Sequence, residues 1–279
     1  NRTEYDNTVR DLLGTAAKPA ASSFAADDVE DGFDTIGESL VMSLVLAEQL
    51  DKATGELVDE LLARPAGDVW RSRILVCEPT AANATTCIPQ VLSAFMKSAY
   101  RRPVAADEVQ SRASLAATVQ QATGDALRGL AAALKSVLMS PHFLYRVELG
   151  DPASPQATPL SDYELASRLS YFLWSSMPDQ ELMAHAAAGD LHRPAVLLAQ
   201  AHRMAKDDRV RGLATEFAGN WLDVRRFEEH NAVNRERFPA FTNELREAMF
   251  EEPIRFTEDL VQRNGSVLDF VYGEHTFVN

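Results

Sequence analysis

Apolar residues recur three and four positions apart along almost the whole of this 279-residue chain, the spacing of one face of an α-helix. Outside the run RILVC near Ile74, strict alternation of apolar and polar residues never holds for more than four positions. That excludes half-buried strands over most of the sequence and makes the expected fold class all-α, with essentially no sheet.

The segment NRTEYDNTVRDLLG reads as a complete helix, with Thr3 as cap and Asp6 as the carboxylate reaching back. Tyr5, Val9, Leu12 and Leu13 form its apolar stripe and Gly14 its stop. A chain that opens inside an element and carries no start methionine is expected to be an internal stretch of a longer protein. KPAASSFAADD reads as a surface loop. A long helix is expected over 36–63, with Leu40, Leu44, Leu57 and Leu61 inward, and others over 106–121 and 125–139. Val91, Leu92, Phe95 and Met96 mark one more helix, which Pro103 closes.

DPASPQATPL has three prolines in ten residues and separates two expected lobes, 1–150 and 161–279, with 151–160 as linker. Beyond it, Ser161 and Glu164 have capping-box spacing, as do Ser176 and Asp179. Val210, Ala214, Phe217, Ala218 and Trp221 make a further stripe, in which Trp221, like Trp174, reads as a core anchor. A last helix over 241–263 contains Pro253, where a kink is expected.

The formal net charge is −14, from 41 acidic and 27 basic residues. So acidic a chain repels phosphate backbones, and nucleic acid is excluded as an expected partner. No apolar run is long enough for a transmembrane segment, since LVMSLVLAEQL meets Glu48 and Gln49 too early. Cys77 and Cys87 are the only cysteines. A bond between them, closing a loop of about eleven residues, stabilises by roughly 3 kcal/mol in the chain-entropy picture and places the protein in an oxidising compartment. The alternative is a pair of reduced, half-buried thiols. Neither cysteine belongs to a CxxCH, so no covalent haem site lies within the segment.

Several phrases follow one another in order: NRTEYDNTVRDLLG, DGFDTIGESLVMS, Tyr100 with RRP, SPHFLYRVE, YELASRLSYFLWSSMPDQEL and FAGNWLDV. Together they resemble a set of linked domains of unknown function from planctomycetes and some myxobacteria, found in chains that also carry c-type cytochrome segments. The resemblance implies an exported bacterial protein, periplasmic or at the cell surface. It implies haem c elsewhere in the full-length chain, and as partners the remaining domains of the same polypeptide, a cytochrome c segment among them. It brings no enzymatic activity. The function expected from it is a scaffolding or partner-positioning module of a larger redox protein.

No complete catalytic constellation is present, and no HExxH, GxSxG or phosphate loop. The densest cluster of chemistry-bearing side chains is SPHFLYRVE at 140–148, whose catalytic candidates are His142, Arg146 and Glu148. On a helix, His142, Tyr145, Arg146 and Leu149 share a face. The plainer expectation is that Arg146 pairs with a carboxylate of the first lobe and seals it. Arg101, Arg102 and Trp174 are the cofactor-binding candidates, the arginines for a carboxylate or haem propionate. The rival expectation is an enzyme with a pocket between the lobes lined by His142, Arg146, Arg101, Arg102 and Trp174. Asp27, Asp31 and Glu38, with Gly32, fall at calcium-loop positions, although Val29 breaks the third; a solvated acidic turn is the simpler reading.

Overall fold

The computed structural model describes residues 1–37, 40–148, 158–225, 227, 233, 234 and 236–277. Among them the chain is all-α. Its one extended pairing is an isolated bridge between Glu30 and Phe33. No described helix is long and apolar enough to cross a membrane. The chain divides into two compact units, Asn1–Ala26 with Val41–Ser167, and Asp27–Leu40 with Arg168–Asn279. Residues 27–40 therefore cluster with the second unit, not with the first lobe as the sequence order implies. Of the expected linker, 151–157 lies outside the described residues.

In the first unit, α1 (Arg2–Leu13) is capped by Asn1, whose Oδ1 accepts the Glu4 N–H at 2.9 Å, and it ends at Gly14 in the left-handed region. Thr3 and Asp6 do not form the box. Asp6 is instead buried, and its two oxygens accept the Ala20 and Ala21 N–H groups at 2.8 and 2.9 Å. These bonds cap α2 (Pro19–Ser23), a short helix where the sequence reads as loop. Ala20 and Phe24 then pack against Leu50 and Ala53. Within KPAASSF, Ala20 and Phe24 are buried, while Ala21, Ser22 and Ser23 remain exposed.

Helix α3 (Leu44–Ala63) starts where the Ser43 hydroxyl accepts the Leu46 N–H, eight residues later than the periodicity implies. Leu44 is 77 % exposed, and the inward face begins at the half-buried Leu46, which packs on the Ala20–Phe24 cluster. Helix α4 (Val69–Ile74) takes up the start of RILVC, leaving no strand there. The Cys77–Cys87 disulfide, Cα atoms 5.9 Å apart, ties the segment after α4 to α5 (Ala84–Ala99). Helices α6 (Ala106–Thr123), α7 (Ala126–Leu138) and the single turn α8 (Pro141–Leu144) complete the unit. Its core is the α7 stripe of Leu130, Leu134, Val137 and Leu138 with Val91 and Leu92 of α5, all fully buried. Burying each such side chain stabilises by about 1.5–3 kcal/mol.

Helix α9 (Asp162–Trp174), within which the division between the units falls, opens on the expected capping box, Ser161 N–H to Glu164 at 2.7 Å and Glu164 N–H to the Ser161 hydroxyl at 3.3 Å. The helices after it belong to the second unit. Helix α10 (Gln180–Ala188) is capped by Asp179 itself, not by Ser176, and α11 (Pro194–Ala205) carries Pro194 in its first turn. After a 3₁₀ turn come α12 (Arg211–Leu213), a π-helical stretch Ala214–Ala218 and α13 (Gly219–Trp221). A π turn widens the helix and shifts the stripe out of 3.6-residue register. Val210, Ala214 and Ala218 stay buried, while Phe217 and Trp221 turn outward, 46 and 53 % exposed. Trp221 is therefore not a core anchor. Helix α14 (Asn243–Gln262) continues through Pro253, and α15 (Asp269–Tyr272) follows it.

Residues 27–37 are held to this second unit from two sides. Asp31 and Gly32, at φ of 51° and 85°, make a mirror-image two-residue turn between Glu30 and Phe33. Asp34 is buried and meets Arg225 at 2.6 Å, and Arg225 also reaches Glu216 at 2.9 Å.

Two glycines fix how closely helices approach. A Cβ on Gly129 lies 2.5 Å from the Ala116 carbonyl oxygen, and one on Gly212 lies 2.4 Å from the Trp174 backbone. Backbone atoms in a packed helix cannot swing aside as a side-chain end can. Gly129→Ala and Gly212→Ala are each expected to destabilise by about 1–3 kcal/mol despite the better helix propensity of alanine. Denaturant midpoints measure this, and an unchanged or raised midpoint shows that the helices do not meet so closely.

Candidate functional site

The chain around SPHFLYRVE is built on a buried arginine. Helix α5 ends at Tyr100, and Arg101 adopts a φ of 56°, which turns its side chain inward. Its guanidinium donates to the carbonyls of Ala99 at 3.0 Å, His142 and Phe143 at 3.2 Å, and Tyr145 at 3.0 Å. These carbonyls include the open end of α8, which has too few residues to satisfy them itself. Because α8 is one turn and Tyr145 is extended (φ −112°, ψ 151°), His142, Tyr145 and Arg146 do not share a helix face. Leu149 lies outside the described residues.

His142 is exposed, its ring 5.3 Å from that of Tyr100. Arg146 Nη1 meets Glu4 Oε1 at 2.6 Å, the first-unit carboxylate partner that its position implied. Phe143 is buried with its ring edge-on to Tyr5, while Leu144 packs on the Ala20–Phe24 cluster. Glu148 is exposed. Arg102 holds Glu108 in a two-pronged pair at 3.0 and 2.8 Å, and Glu108 also accepts the Ala105 N–H at 2.9 Å, capping α6. The Arg102 hydrogen bonds, helped by the Ala105 N–H and the nearby His142, hold the Glu108 carboxyl down at about 2 against the opposing effect of burial. Two hydroxyls in this unit, Tyr5 Oη and Tyr100 Oη, are buried without a hydrogen-bond partner. Aromatic residues at helix ends read only as core, so neither was picked out from sequence.

Trp174 belongs to the second unit and is 1 % exposed. Its indole N–H donates to the Met204 carbonyl at 2.9 Å, and the Arg209 guanidinium lies 3.5 Å from the ring centroid. Arg209 is held by Asp207 at 2.7 Å, and Arg203 pairs with Asp179 at 2.8 Å. Burial pushes the Asp179 carboxyl up, but Arg203, the Leu182 N–H and Arg209 outweigh it, and it sits below the usual carboxylate range. Trp174 is thus the packed centre of a knot that fastens the ends of α9, α10 and α11, with both ring polarity and ring face already engaged.

Of the calcium candidates, Asp27 is half-buried, Asp31 is exposed on the turn, and Glu38 lies outside the described residues. Among the described residues no group of three His, Cys, Asp or Glu side chains is placed to hold a metal ion. A shallow groove of about 210 Å³ on α14, lined by Leu245, Met249, Arg255 and Phe277, contains none of the candidate residues.

The Arg102–Glu108 pair has a defined pH signature. A carboxyl lowered on folding adds stability that is fully present above its unfolded value, near 4.5, and is lost as pH falls through its folded value, about 2. Stability measured from pH 5 to 2 is therefore expected to fall less steeply in Glu108→Gln than in the parent chain; parallel acid limbs count against the pairing. Arg146→Ala is expected to cost about 1 kcal/mol by removing one partner of the Glu4 carboxylate, which the Asn1 nitrogen still holds, and no more because the Arg146 side chain is 36 % exposed. A thermal melt indistinguishable from the parent would remove Arg146 from the structural framework.

Three family models match the chain in succession. Residues 1–63 match a protein of unknown function, DUF1587; residues 87–148 match DUF1595; and residues 160–279 match DUF1592. No curated protein and no solved structure matches it. The all-α chain with its buried-arginine framework thus carries, in order, the linked planctomycete-type domains DUF1587, DUF1595 and DUF1592.

Proposed function

We propose that this chain is an exported helical module of a larger, cytochrome c-associated redox protein, and that it positions partners instead of performing chemistry itself. The observation that carries this reading is what the candidate arginines do. Arg101 spans four backbone carbonyls, Arg102 is paired with Glu108 and Arg146 with Glu4, so each serves a helix end or a seam of its own unit. The Cys77–Cys87 bond supports export, because such bonds persist in oxidising compartments. The order of the three domains supports the link to a haem-bearing segment in the same polypeptide. On this reading haem c is bound outside residues 1–279, and these domains hold the donor or acceptor in place.

The test is expression of the native full-length polypeptide in a host able to attach haem c, followed by cell fractionation, visible absorption and thiol alkylation. A haem band in the extracytoplasmic fraction, absent from residues 1–279 expressed alone, is the expected result, with Cys77 and Cys87 resistant to alkylation until reduced. A colourless full-length protein, or free thiols in the unreduced one, overturns the reading.

A further inference from the structure

The second unit has a surface that its internal packing leaves unexplained. Phe172, Phe217 and Trp221, 57, 46 and 53 % exposed, form a connected row of rings with centroids 6.3 and 6.2 Å apart. Trp221 continues edge-on to Phe270 at 5.7 Å, and Phe270 to Phe256 at 5.5 Å. Val271 and Tyr272, beside Phe270 on α15, are 73 and 74 % exposed. So many large rings in one exposed row mark an interaction surface rather than scattered surface residues.

Charge says what kind of partner fits. The acidic excess of the chain is concentrated in the unit that bears the row, with 24 acidic against 13 basic residues, compared with 17 against 14 in the other. Residues 27–40 alone hold six carboxylates and no basic residue. Phe33 from that segment stacks on Phe217 at 6.4 Å, so the segment that carries the exposed Asp28, Glu30 and Asp31 lies beside the row. A bilayer with anionic headgroups is repelled by such a rim. A two-fold contact with a second copy sets the same acidic rim against itself. A basic protein surface is attracted, and its Lys and Arg side chains can lie over ring faces, as Arg209 already lies over Trp174.

We propose that the aromatic row from Phe172 to Phe270, with the acidic turn at 28–31, is the docking surface for a basic, amphipathic protein segment. This deepens the partner-positioning reading above and rests on it for biological meaning only. The contact itself stands or falls on separate measurements, because a full-length protein without haem leaves the binding result untouched.

The probe is a labelled amphipathic helical peptide of leucine and lysine, titrated by anisotropy against the whole chain. Its counterpart of leucine and glutamate, and neutral and anionic vesicles, serve as competitors in kind. Binding of the lysine peptide is expected to weaken about tenfold in Trp221→Ala and in Tyr272→Ser, and similarly in Glu30→Gln/Asp31→Asn. Glu56→Gln/Asp59→Asn removes the same charge from exposed positions on α3 and is expected to bind like the parent. Unchanged melts confirm that the variants are folded, and should Trp221→Ala melt low, the more exposed Tyr272→Ser decides. Equal loss in the α3 variant, no loss in the aromatic variants, equal binding of the glutamate peptide, preference for vesicles, or a dimer that Trp221→Ala dissolves each overturns the proposal.

Discussion

Helix ends that finish inside protein are the constraint on which the first unit depends, and arginine meets it repeatedly. The last carbonyls of a helix have no intrahelical donor, and burying one unpaired costs about 1–3 kcal/mol. Arg64 donates to the Gly14 carbonyl that closes α1 at 2.9 Å. Arg71, buried and paired with Glu78, reaches back to the carbonyls of Leu62 and Arg64 at the end of α3. Arg101 does the same for α5 and α8. Each guanidinium has donors to spare for several carbonyls at once, and its positive charge suits the negative end of a helix dipole. A lysine, with one point charge and no planar fork, cannot span the four carbonyls that Arg101 joins.

That role explains what the most suggestive arginines in the sequence do in the structure. An arginine next to a proline, or between a histidine and a glutamate, is equally good currency for an anion site and for a sealed helix end. The geometry separates the two, since a binding arginine points its fork at space and these point theirs at backbone or at a neighbouring carboxylate. His142 stands beside them exposed, with Tyr100 as its ring neighbour. The second unit uses the same chemistry around one aromatic side chain, where Arg203 and Arg209 bracket Trp174 and are themselves fixed by Asp179 and Asp207.

What the sequence made legible follows from the range of the forces involved. Helix bodies such as α5, α6 and α7 are written in local periodicity, and the capping box at Ser161 and Glu164 is local too. Thr3 and Asp6 misled because two carboxylates, Glu4 and Asp6, stood at plausible distances, and only tertiary packing sent Asp6 to α2. The π stretch at Ala214–Ala218 has no marker in residue type, so the outward turn of Trp221 was invisible. The pairing of Arg146 was legible from placement, but its partner, 142 residues away, was not. The link from residues 27–37 to the second unit is equally non-local, because it runs through Arg225, 191 residues from Asp34.

The segment at 27–37 shows how one local choice serves two ends. Its carboxylates look like a damaged calcium loop when read along the chain, yet Asp34 is turned inward, to a guanidinium that also holds Glu216. Burying Asp34 without Arg225 would carry a penalty of several kcal/mol, so the ion pair fixes the register of the whole segment. With that register fixed, the Asp31–Gly32 turn leaves Asp28, Glu30 and Asp31 exposed and lays Phe33 against Phe217. The same salt bridge that anchors the segment therefore sets the composition of the surface beside the aromatic row, joining a question of folding to one of recognition.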